Sequence, residues 1–473
     1  MLPRPDPTAR TQRLAACSLV VSVCALAFLL VTTVSWGDAL GVTALLVFFV
    51  VFWGRLHRRY PKRILQLVLL AFTLRALAAL VQAFVTNLPD STSDAMSYET
   101  AGWILSQQGL SSVLASLTQW GESVFSSLIG LIYWAVGTRS PLLIQAINVA
   151  VGTLVVLNVF KIAKLLGGSR AAERATIVAA LFPTLILYSA LTLREAPIAY
   201  FASYAVLFLL RWVATGKNAY VLVAALASVV GALFHSGVLV VVAALSLVVL
   251  ITDPGRLRSM RGGSNAGGRF GAGGPVQARS LFGQRVVMAA VLVGVLAAVA
   301  LFSIGTQKFQ TRYLDFIMSA QFAHGGAQYL SGWSANSYLG WVIQIPVRAV
   351  YFVASPFPWQ IRSSNQLVGL VDSLLYVGAV VLLVRYLGYV WRNPRFRAVA
   401  VPAALMTGLF AAGTSNFGTA IRHRTKVAPL LIALAMALLE VRRQRRDSLS
   451  ASLRGVAGSP PSSTGPPIQV SST

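Results

Sequence analysis

The sequence predicts an all-α polytopic membrane protein with about twelve transmembrane helices, whose first large extracytoplasmic loop carries short surface helices. Of its 473 residues, 56% are hydrophobic and only 11% are charged. Long apolar runs recur from residue 14 to residue 441. Lysine and arginine collect in the short connections between these runs, as they do on the cytoplasmic side of membrane proteins. This pattern excludes one large soluble core.

The transmembrane domain is predicted to run from residue 14 to residue 441. A spanning helix needs about 20 apolar residues, with ~17 as a workable minimum. The run 219–252 exceeds one span, so we divide it at His235-Ser236-Gly237. The predicted spans are 14–35, 39–54, 64–85, 142–162, 174–191, 197–213, 219–234, 236–252, 286–304, 366–388, 398–413 and 425–441.

This threading makes residues 1–13 a cytoplasmic N-terminus and residues 442–473 a disordered cytoplasmic tail. Residues 253–285 form a cytoplasmic loop rich in glycine and arginine, which cannot bury enough apolar area to fold. Residues 86–141 and 305–341 are predicted to be extracytoplasmic. Two marginal apolar stretches, 122–137 and 341–359, are predicted to lie along the outer surface or to re-enter the membrane, because counting them as spans would reverse the charge bias.

The net charge of +26 at first suggests a nucleic-acid partner. The basic residues instead mark one face of successive helical hairpins, so we predict no nucleic-acid binding and a multi-pass protein of the plasma membrane. Cys17 and Cys24, seven residues apart in the first span, are interpreted as small core residues.

Acidic residues gather in the first outer segment. Asp90, Asp94 and Tyr98 have helical spacing and would share one face at the membrane edge, and Glu122 follows at the start of an apolar stretch. A carboxylate beside a low-dielectric region can act as a general base, because desolvation raises its pKa. The alternative is that these acids are solvated loop residues that cap a helix over 95–108.

A second charged pair, Arg194 and Glu195, stands between two predicted spans, with Pro197 suited to a first helical turn. Interfacial anchoring would account for such a pair. The threading, however, returns Glu195 to the same side of the membrane as Asp94.

A basic cluster breaks the positive-inside pattern. Arg422, His423, Arg424 and Lys426 are predicted to form an outward turn between two spans. Lipid head groups would account for it, but the density of charge favours a specific phosphate or diphosphate. Arg75 lies inside a predicted span, so we expect a polar partner for it within the helix bundle.

Several motifs between about Arg75 and Phe208 resemble one known group of enzymes. They are Asp94-xxx-Tyr98-xx-Ala101, the stretch opened by Glu122, Gln145-Ala-Ile-Asn148, Leu181-Phe-Pro183 and the Arg194-Glu195 turn. Together they resemble the GT-C superfamily of polyprenyl-phosphate-sugar glycosyltransferases, which contains protein O-mannosyltransferases and lipid A aminoarabinose transferases.

The resemblance implies an inverting sugar transfer on the outer face of the membrane, from a polyprenyl-phosphate-linked sugar donor to a hydroxyl of a glycan, lipid or protein acceptor. Asp94 would be the catalytic base, and Glu122 and Glu195 would orient the acceptor or hold a divalent cation (Mg²⁺ or Mn²⁺). Glu195 stands where the family often has Asp. The substrate-binding residues would be Asp90, Tyr98, Arg194, Arg422, His423, Arg424 and Lys426.

Two other functions remain open at this point. A polysaccharide polymerase that uses a polyprenyl-diphosphate-linked oligosaccharide would share the outer basic cluster. A transporter or flippase would move a lipid-linked sugar without making a bond.

Overall fold

The computed structural model describes residues 35–118, 122–252, 285–290, 292–294, 338–361 and 364–457. Over these ranges the chain is helical without a strand, which confirms the predicted all-α class. The predicted span 14–35 except for residue 35, most of the span 286–304, most of the predicted loops 253–285 and 305–341, and the two cysteines lie outside the described residues. The helices are α1 (Trp36–Leu56), α2 (Lys62–Phe84), α3 (Asp94–Gln107), α4 (Leu110–Leu117), α5 (Glu122–Val136), α6 (Pro141–Leu181), α7 (Pro183–Ala190), α8 (Glu195–Thr215), α9 (Ala219–Phe234), α10 (Leu239–Ile251), α11 (Tyr338–Ala354), α12 (Ser364–Arg385), α13 (Leu387–Arg392), α14 (Pro394–Ala412) and α15 (Phe417–Ala457).

Five of these helices are long and apolar enough to cross a membrane, namely α1, α2, α6, α8 and α14. The described part of the chain is therefore that of a helical membrane protein. The predicted count of twelve spans and the sidedness of the loops stay predictions. The marginal stretches correspond to α5, with 15 residues, and α11, with 17 residues, which lie below and at the workable minimum for a crossing.

The long helix α6 reverses direction at Gly168. In a straight helix Gly152 and Ala179 would be about 40 Å apart. Instead, the Arg75 guanidinium reaches both: its Nη2 donates to the Ala179 carbonyl at 3.1 Å, and its Nε lies 3.4 Å from where a Cβ of Gly152 would stand. Gly168 has φ 79° and ψ −167°, a backbone conformation essentially restricted to glycine. The two halves of α6 overlap the predicted spans 142–162 and 174–191, and their crossing of the membrane as two spans stays a prediction.

Arg75 satisfies backbone groups that a proline leaves without donors. Pro183 has no N–H, so the Ala179 carbonyl, four residues earlier, lacks its usual helical partner. Arg75 donates to that carbonyl and, at 3.4 Å, to the Ala180 carbonyl. The expected polar partner within the bundle is thus the broken end of α6, and the predicted span 174–191 is interrupted at Phe182-Pro183.

The division predicted at His235 is present, because α9 ends at Phe234 and a 3₁₀ turn over Ser236–Val238 leads into α10. The predicted turn at Arg422–Lys426 is wrong. These residues belong to the first turns of α15, which begins at Phe417, eight residues before the predicted start of that span. This change decides which basic side chains share a face.

Helices α6 and α15 form the centre of the bundle, and α8 packs against both. Small buried side chains allow the close approach: a Cβ on Gly167 would lie 3.1 Å from the Cα of Ala437 in α15. The packing of α6, α8 and α15 brings the start of α8 beside the start of α15.

Candidate functional site

The guanidinium group of Arg422 bridges two carboxylates that are distant in sequence. Its Nε donates to Glu195 Oε1 at 2.7 Å, and its Nη1 donates to Asp94 Oδ2. One helical turn along α15, Lys426 Nζ lies 3.7 Å from the same Glu195 oxygen. We call Asp94, Glu195, Arg422 and Lys426 the acid–arginine cluster. The structure thus brings together four of the residues that the sequence singles out.

The cluster extends from the surface into the interior. The exposed fraction of the side chain is 53% for Asp94, 14% for Arg422, and 1% for each of Glu195 and Lys426. Charges at the inner end act in a low-dielectric environment, where they attract a counter-charge more strongly than in water. The outer carboxylate stays accessible to a second molecule.

Helix starts place both acids. Asp94 is the first residue of α3 and Glu195 the first residue of α8. Negative side chains are favoured there by the N–H groups and dipole of a helix N-terminus. The chain entering α8 is fixed by Asn148, whose Nδ2 donates to the Leu191 and Leu193 carbonyls at 2.7 and 2.8 Å.

Asp90 and Tyr98 flank the cluster by different routes. Asp90 lies before α3 with φ 64°, and its Oδ2 accepts a 2.6 Å hydrogen bond from the Tyr188 hydroxyl. Burial of the carboxyl group raises the pKa of Asp90, against the opposing effects of that hydrogen bond and of the Arg422 charge. The ring of Tyr98 lies 5.2 Å from the Arg194 guanidinium, a cation–π contact. Asp90 is not on the helix, so the predicted shared helical face is wrong for it.

His423 lies at the inner border of the cluster. Its ring is 5.6 Å from the ring of His235, and its Nδ1 is 3.3 Å from the Thr414 hydroxyl. His235 Nδ1 accepts a hydrogen bond from the backbone N–H of Gly237 at 3.0 Å. The two histidines belong to the wall beside the cluster.

Arg424 is not part of the acid–arginine cluster. It is fully buried and forms an ion pair with the equally buried Asp372, with Nε 3.1 Å from Oδ2. Its Nη1 also donates to the Val353 carbonyl and to Ser373 Oγ, each at 2.9 Å. The structure therefore places Arg424 in a buried ion pair apart from the other basic residues, and its contact with substrate stays a prediction.

Two buried acids were not predicted as partners. Asp372 accepts from the Thr184 hydroxyl at 2.7 Å as well as pairing with Arg424. The sequence did indicate that Asp372 has a partner, since an acid inside an apolar span needs one. The other, Glu99, accepts from the Tyr133 hydroxyl and from Arg139 Nε, both at 2.9 Å.

Glu122 begins α5, in agreement with the helix start inferred from the sequence. Its side chain lies outside the described residues, so its predicted role as a second catalytic acid stays a prediction.

A divalent cation does not fit the cluster as it is arranged. Its two carboxylates converge on the Arg422 guanidinium, which fills the position between them. Among the residues that the structure describes, no group of three His, Cys, Asp or Glu side chains is placed to hold a metal ion.

No family model and no curated protein matches the sequence. Among solved structures, the chain is similar to the archaeal oligosaccharyltransferase AglB from Archaeoglobus fulgidus in complex with an inhibitory peptide and a dolichol-phosphate. The identity is 17% and the TM-score 0.41, over 83% of this chain and 52% of that one. Structures of the oligosaccharyltransferase from the same organism with Zn and sulfate, and with a tethered acceptor peptide containing the NVT sequon, are each 15% identical. They cover 82% and 78% of this chain and 51% and 49% of theirs, at TM-scores of 0.39 and 0.40. The chain spans about half the length of these neighbours, and similarity at this level establishes neither a shared family nor a shared activity.

Proposed function

We propose that the chain is an integral membrane glycosyltransferase that moves a sugar from a polyprenyl-phosphate donor to a hydroxyl acceptor. The observation that carries the proposal is the Arg422 bridge, which joins the accessible carboxylate of Asp94 to the buried Glu195, beside the buried amino group of Lys426. A transfer reaction of this kind needs both a base for the acceptor and positive charge for the departing phosphate.

Three positively charged side chains gather around the buried Glu195 carboxylate, and Asp90 adds a third carboxyl group close to Arg422. Arg422, Lys426 and Arg194 all act electrostatically on Glu195, whereas Asp94 and Glu195 supply the two carboxylates of the cluster. A phosphate or diphosphate would interact with the positive side chains of this group, Arg422 above all, since its side chain is still 14% exposed. Preorganised charge of this kind is usually a large contribution to catalysis, since it needs no rearrangement as the leaving group becomes negative.

In the proposed reaction the acceptor hydroxyl approaches Asp94 at the exposed end of the cluster. The Asp94 carboxylate takes the hydroxyl proton while the oxygen forms a bond to the anomeric carbon. The bond between that carbon and the phosphate oxygen breaks, and its electron pair leaves with the phosphate toward Arg422 and Lys426. Attack from the side opposite the phosphate inverts the anomeric carbon.

Glu195 is suited to hold a substrate hydroxyl group. Its Oε1 is engaged by Arg422, whereas its buried Oε2 has no hydrogen-bond partner within the described residues. An unpaired buried carboxylate oxygen is costly, and a hydroxyl donor from the sugar or the acceptor would satisfy it. We therefore assign Glu195 to orientation of the substrate.

The test is sugar transfer from a radiolabelled polyprenyl-phosphate sugar by the purified full-length chain in lipid. Asp94→Asn is expected to lower the rate by about 10²–10⁴-fold, the usual contribution of a general base. Asp447→Asn is the matched control, because Asp447 is an exposed acid on α15, 25 residues beyond Arg422. Activity in Asp94→Asn equal to that of the control would exclude Asp94 as the base.

The size of the labelled product separates the remaining functions in the same assay. One added sugar supports the transferase, and a ladder of oligosaccharides indicates a polymerase. Label that crosses the membrane without forming a new bond indicates a transporter.

The outer location of the site is tested separately by labelling. Met96 in α3 is 56% exposed. A Met96→Cys variant in a background with Cys17 and Cys24 replaced by serine is expected to react with a membrane-impermeant maleimide from outside the cell. Reaction only after the cells are opened would place the cluster on the cytoplasmic side and contradict the proposal.

A further inference from the structure

We propose that the guanidinium group of Arg422 takes the place that a divalent cation would occupy between two site carboxylates, so that this chain transfers sugar without a metal. The inference rests on the proposed function. Of the two roles that the sequence left open for Glu195, it favours orientation of the acceptor over binding of Mg²⁺ or Mn²⁺.

The Arg422 guanidinium lies between the two acids, in the position that a bridging metal ion would need. Arg422 uses two different nitrogens, Nε toward Glu195 and Nη1 toward Asp94, so a single rigid cation joins both acids. A bridging metal would fix the same two carboxylates and supply the same kind of positive charge. An arginine side chain keeps its charge at any physiological pH and cannot dissociate from the site.

The charged side chains around the bridge also disfavour a metal ion. Lys426 lies 3.7 Å from Glu195 on the inner side, and Arg194 also acts on Glu195 electrostatically. A divalent ion entering beside Arg422 would meet three positive side chains that already balance the carboxyl groups of Asp90, Asp94 and Glu195, even with all three ionised. Metal sites need the opposite balance, in which ligand charge compensates the ion.

Arg422 also has hydrogen-bond donors that the bridge does not use. A guanidinium has five N–H groups, and its two hydrogen bonds to the acids use Nε and Nη1. In the part of the chain that the structure describes, Nη2 makes no hydrogen bond, so it is able to donate to a phosphate oxygen while the bridge stays intact. One residue would then orient the base and bind the leaving group, two tasks that metal ions commonly combine.

The experiment measures metal binding and activity independently. Electron paramagnetic resonance of Mn²⁺ titrated into the full-length protein is expected to show no tight binding to the wild-type chain. Arg422→Gln removes the bridging charge, and at least tenfold tighter Mn²⁺ binding is expected, which Asp94→Asn in the same background abolishes. Equal binding by the wild-type chain and Arg422→Gln would overturn the inference.

Two further variants keep the result interpretable. Arg422→Lys retains the positive charge and is expected to resemble the wild-type chain in its low Mn²⁺ affinity. Arg443→Gln, which breaks an exposed ion pair on the same helix, controls for a general loss of charge on α15.

Sugar transfer in the presence of excess EDTA completes the test. Unchanged activity supports the inference. Activity lost on chelation and restored by Mn²⁺ would overturn it while leaving the proposed transferase intact. If no donor sugar is transferred under any condition, the proposed function fails, and the Mn²⁺ titration still decides the role of the Arg422 bridge.

Discussion

The ion pair between Arg424 and Asp372 is predicted to stabilise the bundle without contributing to substrate binding. Both side chains are completely buried, and their facing atoms are 3.1 Å apart. Arg424→Met removes the positive charge that faces the Asp372 carboxylate, and the Thr184 hydroxyl is then its one hydrogen-bond donor within the described residues. It also deprives the Val353 carbonyl of a charged donor at 2.9 Å.

Removing one member of such a pair typically costs about 3–5 kcal/mol, because the other charge stays buried and unpaired. We expect this loss in the free energy of unfolding of Arg424→Met. The double variant Arg424→Met/Asp372→Leu removes both charges, and replacement of a buried pair by apolar side chains is often neutral. It is therefore expected to recover most of the loss.

The assay is reversible unfolding in mixed detergent micelles, followed by far-UV circular dichroism, together with the KM for the donor. The control is Arg443→Met, which breaks the exposed pair with Asp447, whose facing atoms are 3.5 Å apart. It is expected to cost about 0–1 kcal/mol. If Arg424→Met matches this control in stability but raises the donor KM tenfold or more, the structural assignment is refuted and the sequence-based role in phosphate binding is restored.

Three other predictions follow from single features of the fold. Arg75→Met should lower the free energy of unfolding by about 1 kcal/mol less in a Pro183→Ala background than in the wild-type chain. The Pro183→Ala background restores a backbone N–H that can donate to the Ala179 carbonyl in place of Arg75, and a double-mutant cycle measures the difference. Gly168→Ala should destabilise the protein by about 1–3 kcal/mol through backbone strain at φ 79° alone, since no atom lies within 4 Å of the added Cβ; unchanged unfolding would contradict the reversal at this residue. The raised pKa of Asp90 means that the folded state holds this proton more tightly than the unfolded chain. Its contribution to stability is therefore present at low pH and lost as pH rises through the folded pKa, above 3.8, and Asp90→Asn should remove that part of the pH dependence of unfolding.

Features set by local sequence were predictable. Apolar length predicted the helical class, and the polar residues at His235-Ser236-Gly237 marked a real interruption between α9 and α10. The start of α5 at Glu122 follows in the same way from an acid that opens an apolar stretch. Such signals act over a few residues, so one sequence carries them.

Features set by long-range packing were not predictable. Glu99 meets Arg139 across 40 residues, and Asp372 in α12 meets Arg424 in α15 across an interval that includes α13 and α14. An ionisable residue in an apolar span indicates that a partner is needed, but the sequence does not tell which residue that partner is. Arg75 shows the same limit, since its partner is the backbone at a proline break and not another side chain.

The basic segment at the start of α15 shows how one structural fact reorganises a predicted site. As a turn, all of its charges could converge on one anion. In a helix each residue advances about 100°, so Lys426 returns to within about 40° of Arg422 while Arg424 points to the opposite side. One helix thereby supplies two cations to the acid–arginine cluster and a third to the buried ion pair with Asp372. That ion pair fixes the rotation of α15 about its axis. We therefore predict that loss of the buried ion pair between Arg424 and Asp372 would also disturb the bridge made by Arg422.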